Sequence, residues 1–174
     1  MFSKLLLAAA LLLQAPPAAP VSAPKAVPLG AAYDPTNPFA RILAGSSTNA
    51  IVAETQSALA FMDYRPSRAG HVLVIPKSPT VSLLDATPQQ LAGVMALARC
   101  VAIAQTVAFK ADGITGISLD QNNGAPNQHV GHMHFHLIPN YGNRPSSPPA
   151  TPLTKEQLEP VAARIRAAMP SEGC

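Results

Sequence analysis

The stretch that most constrains this chain is His132 to Leu137, "HMHFHL", in which a histidine and an apolar residue alternate. Side chains of an extended strand point to opposite faces in turn, so a period of two predicts a strand. His132, His134 and His136 then share one face. Met133, Phe135 and Leu137 share the other, which is expected on the core. The wider run "NQHVGHMHFHLIPN" holds four of the chain's five histidines, although only 12% of its residues are charged. Same-face neighbours stand roughly 6.5–7 Å apart along a strand, so the outer two lie about 13 Å apart at Cα. Zinc needs its nitrogens about 2.0–2.1 Å from one point. The row therefore suits an extended polar ligand better than one ion gripped by all three, with a metal held by adjacent members as the rival reading. Near neutral pH an imidazole can donate to anionic oxygens, accept a proton or attack an electrophile. A phosphate ester or anhydride uses all three abilities.

The rest of the chain supplies a frame for such a strand. "NPFARILAGS" predicts a short helix, with Asn37 as N-cap, Pro38 at the first position and Gly45 as the stop. "AIVAET", "SALAFMD" and "HVLVIPK" read as three strands. "TPQQLAGVMALARCVAIAQTVAF" predicts a long helix opened by a capping box of Thr87 and Gln90. "GITGISLDQ" is a fourth strand, "NNGAPNQ" a loop, "HVGHMHFHLIP" a fifth strand ended by Pro139, and "TKEQLEPVAARIRAAM" a final helix that Pro160 could kink. The order α-β-β-β-α-β-β-α, with a meander of antiparallel strands, predicts an α+β fold.

Before this frame, Lys4 precedes the apolar run Leu5 to Leu13, which is the length of a secretory signal and too short to span a bilayer. Residues 1–23 are expected to be a signal peptide, with cleavage between 23 and 32, and residues 24–36 a Pro/Ala-rich linker. The domain is expected over 37–141, followed over 142–174 by a Pro-rich loop and the last helix. An exported, periplasmic protein follows from that leader, with no membrane contact in the mature form. The pI of about 9.1 owes part of its basicity to the leader, so it does not argue for nucleic acid. Cys100 and Cys174 could pair in an oxidising compartment or remain a buried thiol and a terminal one.

"HMHFHLI" resembles the signature of the histidine triad superfamily, His-x-His-x-His followed by two apolar residues. "ALAFMDYRPSRAGHVLVIPKSP" and "ISLDQNNG" resemble further strands of the same family, in the right order and over about residues 37–141. The nearest likeness is to bacterial, Hint-like members. The resemblance implies a five-stranded antiparallel sheet with a long helix packed on it, a homodimer, and a nucleotide hydrolase acting at the α-phosphorus. It implies His134 as the nucleophile of a nucleotidyl-histidine intermediate. His132 and His136 would flank it, one binding phosphate oxygens and the other fixing the tautomer of the row. Asp63 matches the position that holds ribose hydroxyls, and His71 matches a histidine beside the triad. Asn122 and Gln128 match polar positions near the phosphate. Loop amides of 122–128 would meet developing charge.

The sequence also departs from the family pattern. Zinc-containing members carry Cys-x-x-Cys where this chain reads Asn37-Pro38-Phe39-Ala40, so no structural zinc and no cofactor are expected. His129 stands where a hydroxyl is common, and is a candidate leaving-group acid or phosphate contact. Substrates would be nucleoside phosphoramidates or dinucleoside polyphosphates. The alternatives are a nucleotidyl transferase, or an exported protein that binds nucleotide or metal without catalysis.

Overall fold

The computed structural model describes residues 25–142, 149 and 151–172. The expected signal peptide and Cys174 lie outside the described residues. Five strands, β1 (Ile51–Glu54), β2 (Ala58–Met62), β3 (Val72–Pro76), β4 (Gly116–Gln121) and β5 (Phe135–Asn140), form one antiparallel sheet. Its order is β1-β2-β3-β5-β4. The first three strands are a meander. β5 then inserts between β3 and β4, so the strand that carries the last triad histidine has a partner on each side.

The helices form where the sequence places their signals. α1 (Pro38–Leu43) is capped by the Asn37 side chain, which accepts from the amides of Phe39 and Ala40. α2 (Pro88–Ala108) starts at the reciprocal Thr87–Gln90 capping box. α3 (Lys155–Ala167) opens on a second such box, Thr154–Gln157, and continues through Pro160.

The sheet is covered on both faces, which explains why β2 and β3 are apolar throughout. Ala58, Ala60, Met62, Val72, Val74, Phe135 and Leu137 face α2 and α3, with Val94, Leu97, Val101, Leu158 and Ile165 packed against them. Leu59, Phe61, Leu73 and Ile75 face Phe39 of α1 and Val130. Each such fully buried side chain contributes roughly 1.5–3 kcal/mol. His136 pairs across the sheet with Leu73, and so belongs to the α1 face. The functional row is thus on the thinly covered side, opposite the two long helices.

Two boundaries differ from the sequence reading. The fifth strand begins only at Phe135, so His132 and His134 lie in an irregular segment before it. β3 pairs with β5 only as far as Phe135, and the residues ahead of it are held by other bonds, such as Met133 N–H to the Thr80 carbonyl. Pro139 does not end the strand but lies inside it, paired with Ile117 of β4. Beyond Leu137 β3 no longer flanks β5, so a nitrogen without hydrogen breaks no ladder bond on that side.

Candidate active site

The site grows from the segment 132–136 and the turn that closes β2 onto β3. His132 is fully buried. Its Nε2 lies 2.9 Å from the Pro76 carbonyl oxygen, at the end of β3. A carbonyl only accepts, so Nε2 carries the proton and Nδ1 is the lone pair. The Tyr33 hydroxyl, 2.8 Å from Nδ1, is then the donor. The same logic fixes His134. Its Nδ1 lies 2.7 Å from the His132 carbonyl oxygen, so Nδ1–H donates and Nε2 keeps a free electron pair. The Phe39 ring packs edge-on against His134, with centroids 5.2 Å apart.

The other end of the row is built differently. His136 Nδ1 lies 2.9 Å from His71 Nε2. His71 Nδ1 in turn faces the Ser67 amide at 3.2 Å and an Asp63 carboxylate oxygen at 3.4 Å. If the Ser67 N–H donates to Nδ1, His71 presents Nε2–H to His136, whose own Nε2 then carries a proton. If Nδ1–H donates to Asp63, the bond between the two rings reverses. Two proton arrangements are therefore built into this pair. His71 owes its place to Gly70, at φ +86°, where a Cβ would stand 2.4 Å from the Phe109 ring. Gln105, buried in α2, donates to the carbonyls of Gly70 and Leu137 and so ties the His71 turn to β5.

All four imidazoles are held neutral. Burial pushes His71, His132 and His136 down to about 4, and lowers His134 as well. Burial also raises Asp63, against the opposing amide bond from Arg65. A groove of about 410 Å³ opens beside His136, lined by Ser67, His71, Asp120, Gln121 and Asn122. Asp63, His71 and His136 offer ligand atoms within 4.8 Å of one another, so a metal ion could be held there by a cluster that includes only one member of the triad.

The eight residues singled out in the sequence do not all converge. His134, His136, His132, His71 and Asp63 form one connected cluster, and Asn122 lines the adjoining groove. The structure sorts the flanking pair: His132 fixes the tautomer of His134 through its carbonyl, and His136 faces the groove. Asp63 is turned toward His71 and the Arg65 amide. Gln128 corrects the expectation of a phosphate contact. It is 1% exposed, its Oε1 accepts from Gly124 N–H, and its Nε2 donates to the carbonyls of Val81 and Val130. Its amide is fully committed to holding the loop. The loop amides of Gly124 and Gln128 are likewise bonded inside the loop, which removes them as donors to a ligand. His129 is exposed, and its charge opposes protonation of His134.

Sequence reasoning missed Tyr33, Phe39, Ser67, Asp120 and Gln105. Asp120 was legible in principle, since register places it opposite His136. Tyr33 carried one faint signal, as the single aromatic residue of the Pro/Ala-rich segment 24–36.

Known proteins resemble this chain in sequence and fold. The chain is 32% identical over 132 residues to the adenosine 5'-monophosphoramidase of Schizosaccharomyces pombe, covering 73% of this chain and 93% of that one. It is 36% identical over 104 residues to an uncharacterized HIT-like protein of Mycoplasma genitalium, covering 59% and 72%. The crystal structure of a HIT-like protein involved in cell-cycle regulation from Bartonella henselae superposes with a TM-score of 0.74 at 37% identity, over 80% of this chain and 100% of that one. The HIT domain matches residues 44–143, more than half of the chain, which therefore belongs to the HIT-domain family.

Proposed function

We propose that this protein is a nucleotide hydrolase that attacks the α-phosphorus with His134 Nε2. The observation that carries this reading is the bond from His134 Nδ1 to the His132 carbonyl. It fixes the proton on one nitrogen and leaves the other as a neutral nucleophile. In the first step the Nε2–P bond forms and the bond from phosphorus to the leaving group breaks. The departing amine or phosphate takes a proton from an acid, for which exposed His129 is the candidate. In the second step water attacks phosphorus, gives its proton back to His129, and the P–N bond breaks. His136 and Asn122 bind the phosphate oxygens in the groove, and Asp63 is the candidate for the ribose hydroxyls.

The S. pombe relative is named a monophosphoramidase, which supports a nucleoside phosphoramidate as the first substrate to try. A dinucleoside polyphosphate is the second. The protein acts after export, as a homodimer. The apolar leader supports export. Met95 and Val107, exposed on α2, support a second subunit. α2 is long and apolar enough to cross a bilayer, but Val94, Leu97, Val101 and Ala104 are buried in the core, which supports a helix committed to this domain.

The deciding experiment offers adenosine 5'-monophosphoramidate and diadenosine polyphosphates to the wild type and quenches turnover in acid-free denaturant. Mass spectrometry should then find an adenylyl group on the peptide carrying His134. Absence of turnover on every nucleotide, with the fold intact, would remove the hydrolase reading.

A further inference from the structure

Residues 27–33, read from the sequence as part of a linker, are seated on the segment that presents the triad. Val27 N–H donates to the Gln128 carbonyl at 2.8 Å. Leu29 covers Gly124 so closely that a Cβ there would meet its side chain at 2.8 Å. Tyr33 follows, half-buried, with its hydroxyl on His132 Nδ1 and its ring edge-on to the His132 ring at 5.6 Å.

From this placement we propose that Tyr33 is a positioning residue for the nucleophile, acting through His132. The proposal rests on the hydrolase reading above for its kinetic consequence, though not for its structural one. The His132 ring has two polar atoms and two partners. Pro76 takes the Nε2 proton, and Tyr33 supplies a proton to Nδ1. With both ends held, the ring cannot turn, and the backbone of His132 is held with it. That backbone carbonyl is the acceptor that orients His134. Without the hydroxyl, a fully buried nitrogen keeps its lone pair with no donor. The ring relieves this by rotating or by admitting water, and the carbonyl that fixes His134 moves with it. The segment before the domain thus belongs to the catalytic unit, since it delivers the hydroxyl.

Tyr33→Phe tests the idea because it keeps the ring and removes only the oxygen. Turnover and imidazole nitrogen NMR are measured on the whole chain. The expected result is a fall in kcat of about ten-fold with KM unchanged, the factor set by one unmade buried hydrogen bond. The 15N resonance of His132 Nδ1 should move toward the free, unbonded position, and the hydrogen-bonded Nδ1–H signal of His134 should shift or exchange faster. A wild-type kcat overturns the proposal, and so does a fall in kcat with both histidine signals unmoved. A lowered melting temperature with normal kcat also overturns it, because Tyr33 would then be structural only. If the wild type turns over no nucleotide, the hydrolase reading falls by itself. The two NMR signals then decide the Tyr33 link: movement in both sustains it, and no movement removes it.

Discussion

The two ends of the histidine row are held in different ways. His132 and His134 are bonded to backbone carbonyls, which only accept, so each ring has one defined tautomer. His136 and His71 are bonded to each other, and beyond them stand an amide and a carboxylate competing for one nitrogen. The first end is built for a fixed electron pair. The second is built for a proton that can change sides. For the proposed displacement at phosphorus, a neutral nucleophile and a groove-facing group that can both donate and accept are what is needed, and the short segment 134–136 carries both.

That contrast can be broken most sharply at His134. His134→Ala removes the fixed electron pair, and kcat should fall by about 10⁴-fold or more, measured by release of AMP from the phosphoramidate. A loss under ten-fold would mean that the backbone-anchored end is not where the bond forms. At the other end, His71→Asn breaks the link to His136 and should lower kcat by about 10²-fold. A pH–rate profile checks the cause. If the pair moves protons, the profile changes shape as well as height.

Stability gives a smaller effect that is common to both ends. Unfolded imidazoles take up protons as pH falls through about 6.5. The folded His71, His132 and His136 resist until about 4 because of burial. Between those values the unfolded chain binds more protons, so stability falls as pH drops from about 6.5 to 4. The raised Asp63 works in the opposite direction, as one group against the four lowered imidazoles. Melting temperature should therefore decline across this window. A flat profile would show that the rings are already solvated. The smallest effect is expected at Gln128, which belongs to the loop behind the fixed end. Gln128→Met leaves the Gly124 amide and the Val81 and Val130 carbonyls without their partner, at a cost of about 1–3 kcal/mol by denaturant titration. KM should stay unchanged, and a raised KM would restore the phosphate contact that the structure removes.

Much of this architecture was legible because it is local. Asn37 and Thr87 cap helices with bonds reaching only two or three residues ahead. The alternation of Met133, Phe135 and Leu137 with histidine needed only the geometry of an extended chain, and all three apolar residues are in the core. Alternation also gave more strand than exists, because His132 and His134 keep their positions without a ladder. Gln128 was misread for a related reason. A polar side chain in a loop near a phosphate site could face the ligand or brace the loop, and sequence does not separate the two.

By itself, then, the sequence determined the elements, the clustering of imidazoles and the apolar faces, since propensity, capping and periodicity act between near neighbours. Tertiary structure decided which nitrogen of His132 and His134 carries the proton, and left the His71–His136 pair with two arrangements. Those protons depend on the Pro76 carbonyl, the Ser67 amide and the Tyr33 hydroxyl. The hydroxyl is 99 residues away from the ring it meets. Contacts of that range leave no periodic trace, because only the folded sheet and the segment laid over it bring the partners together.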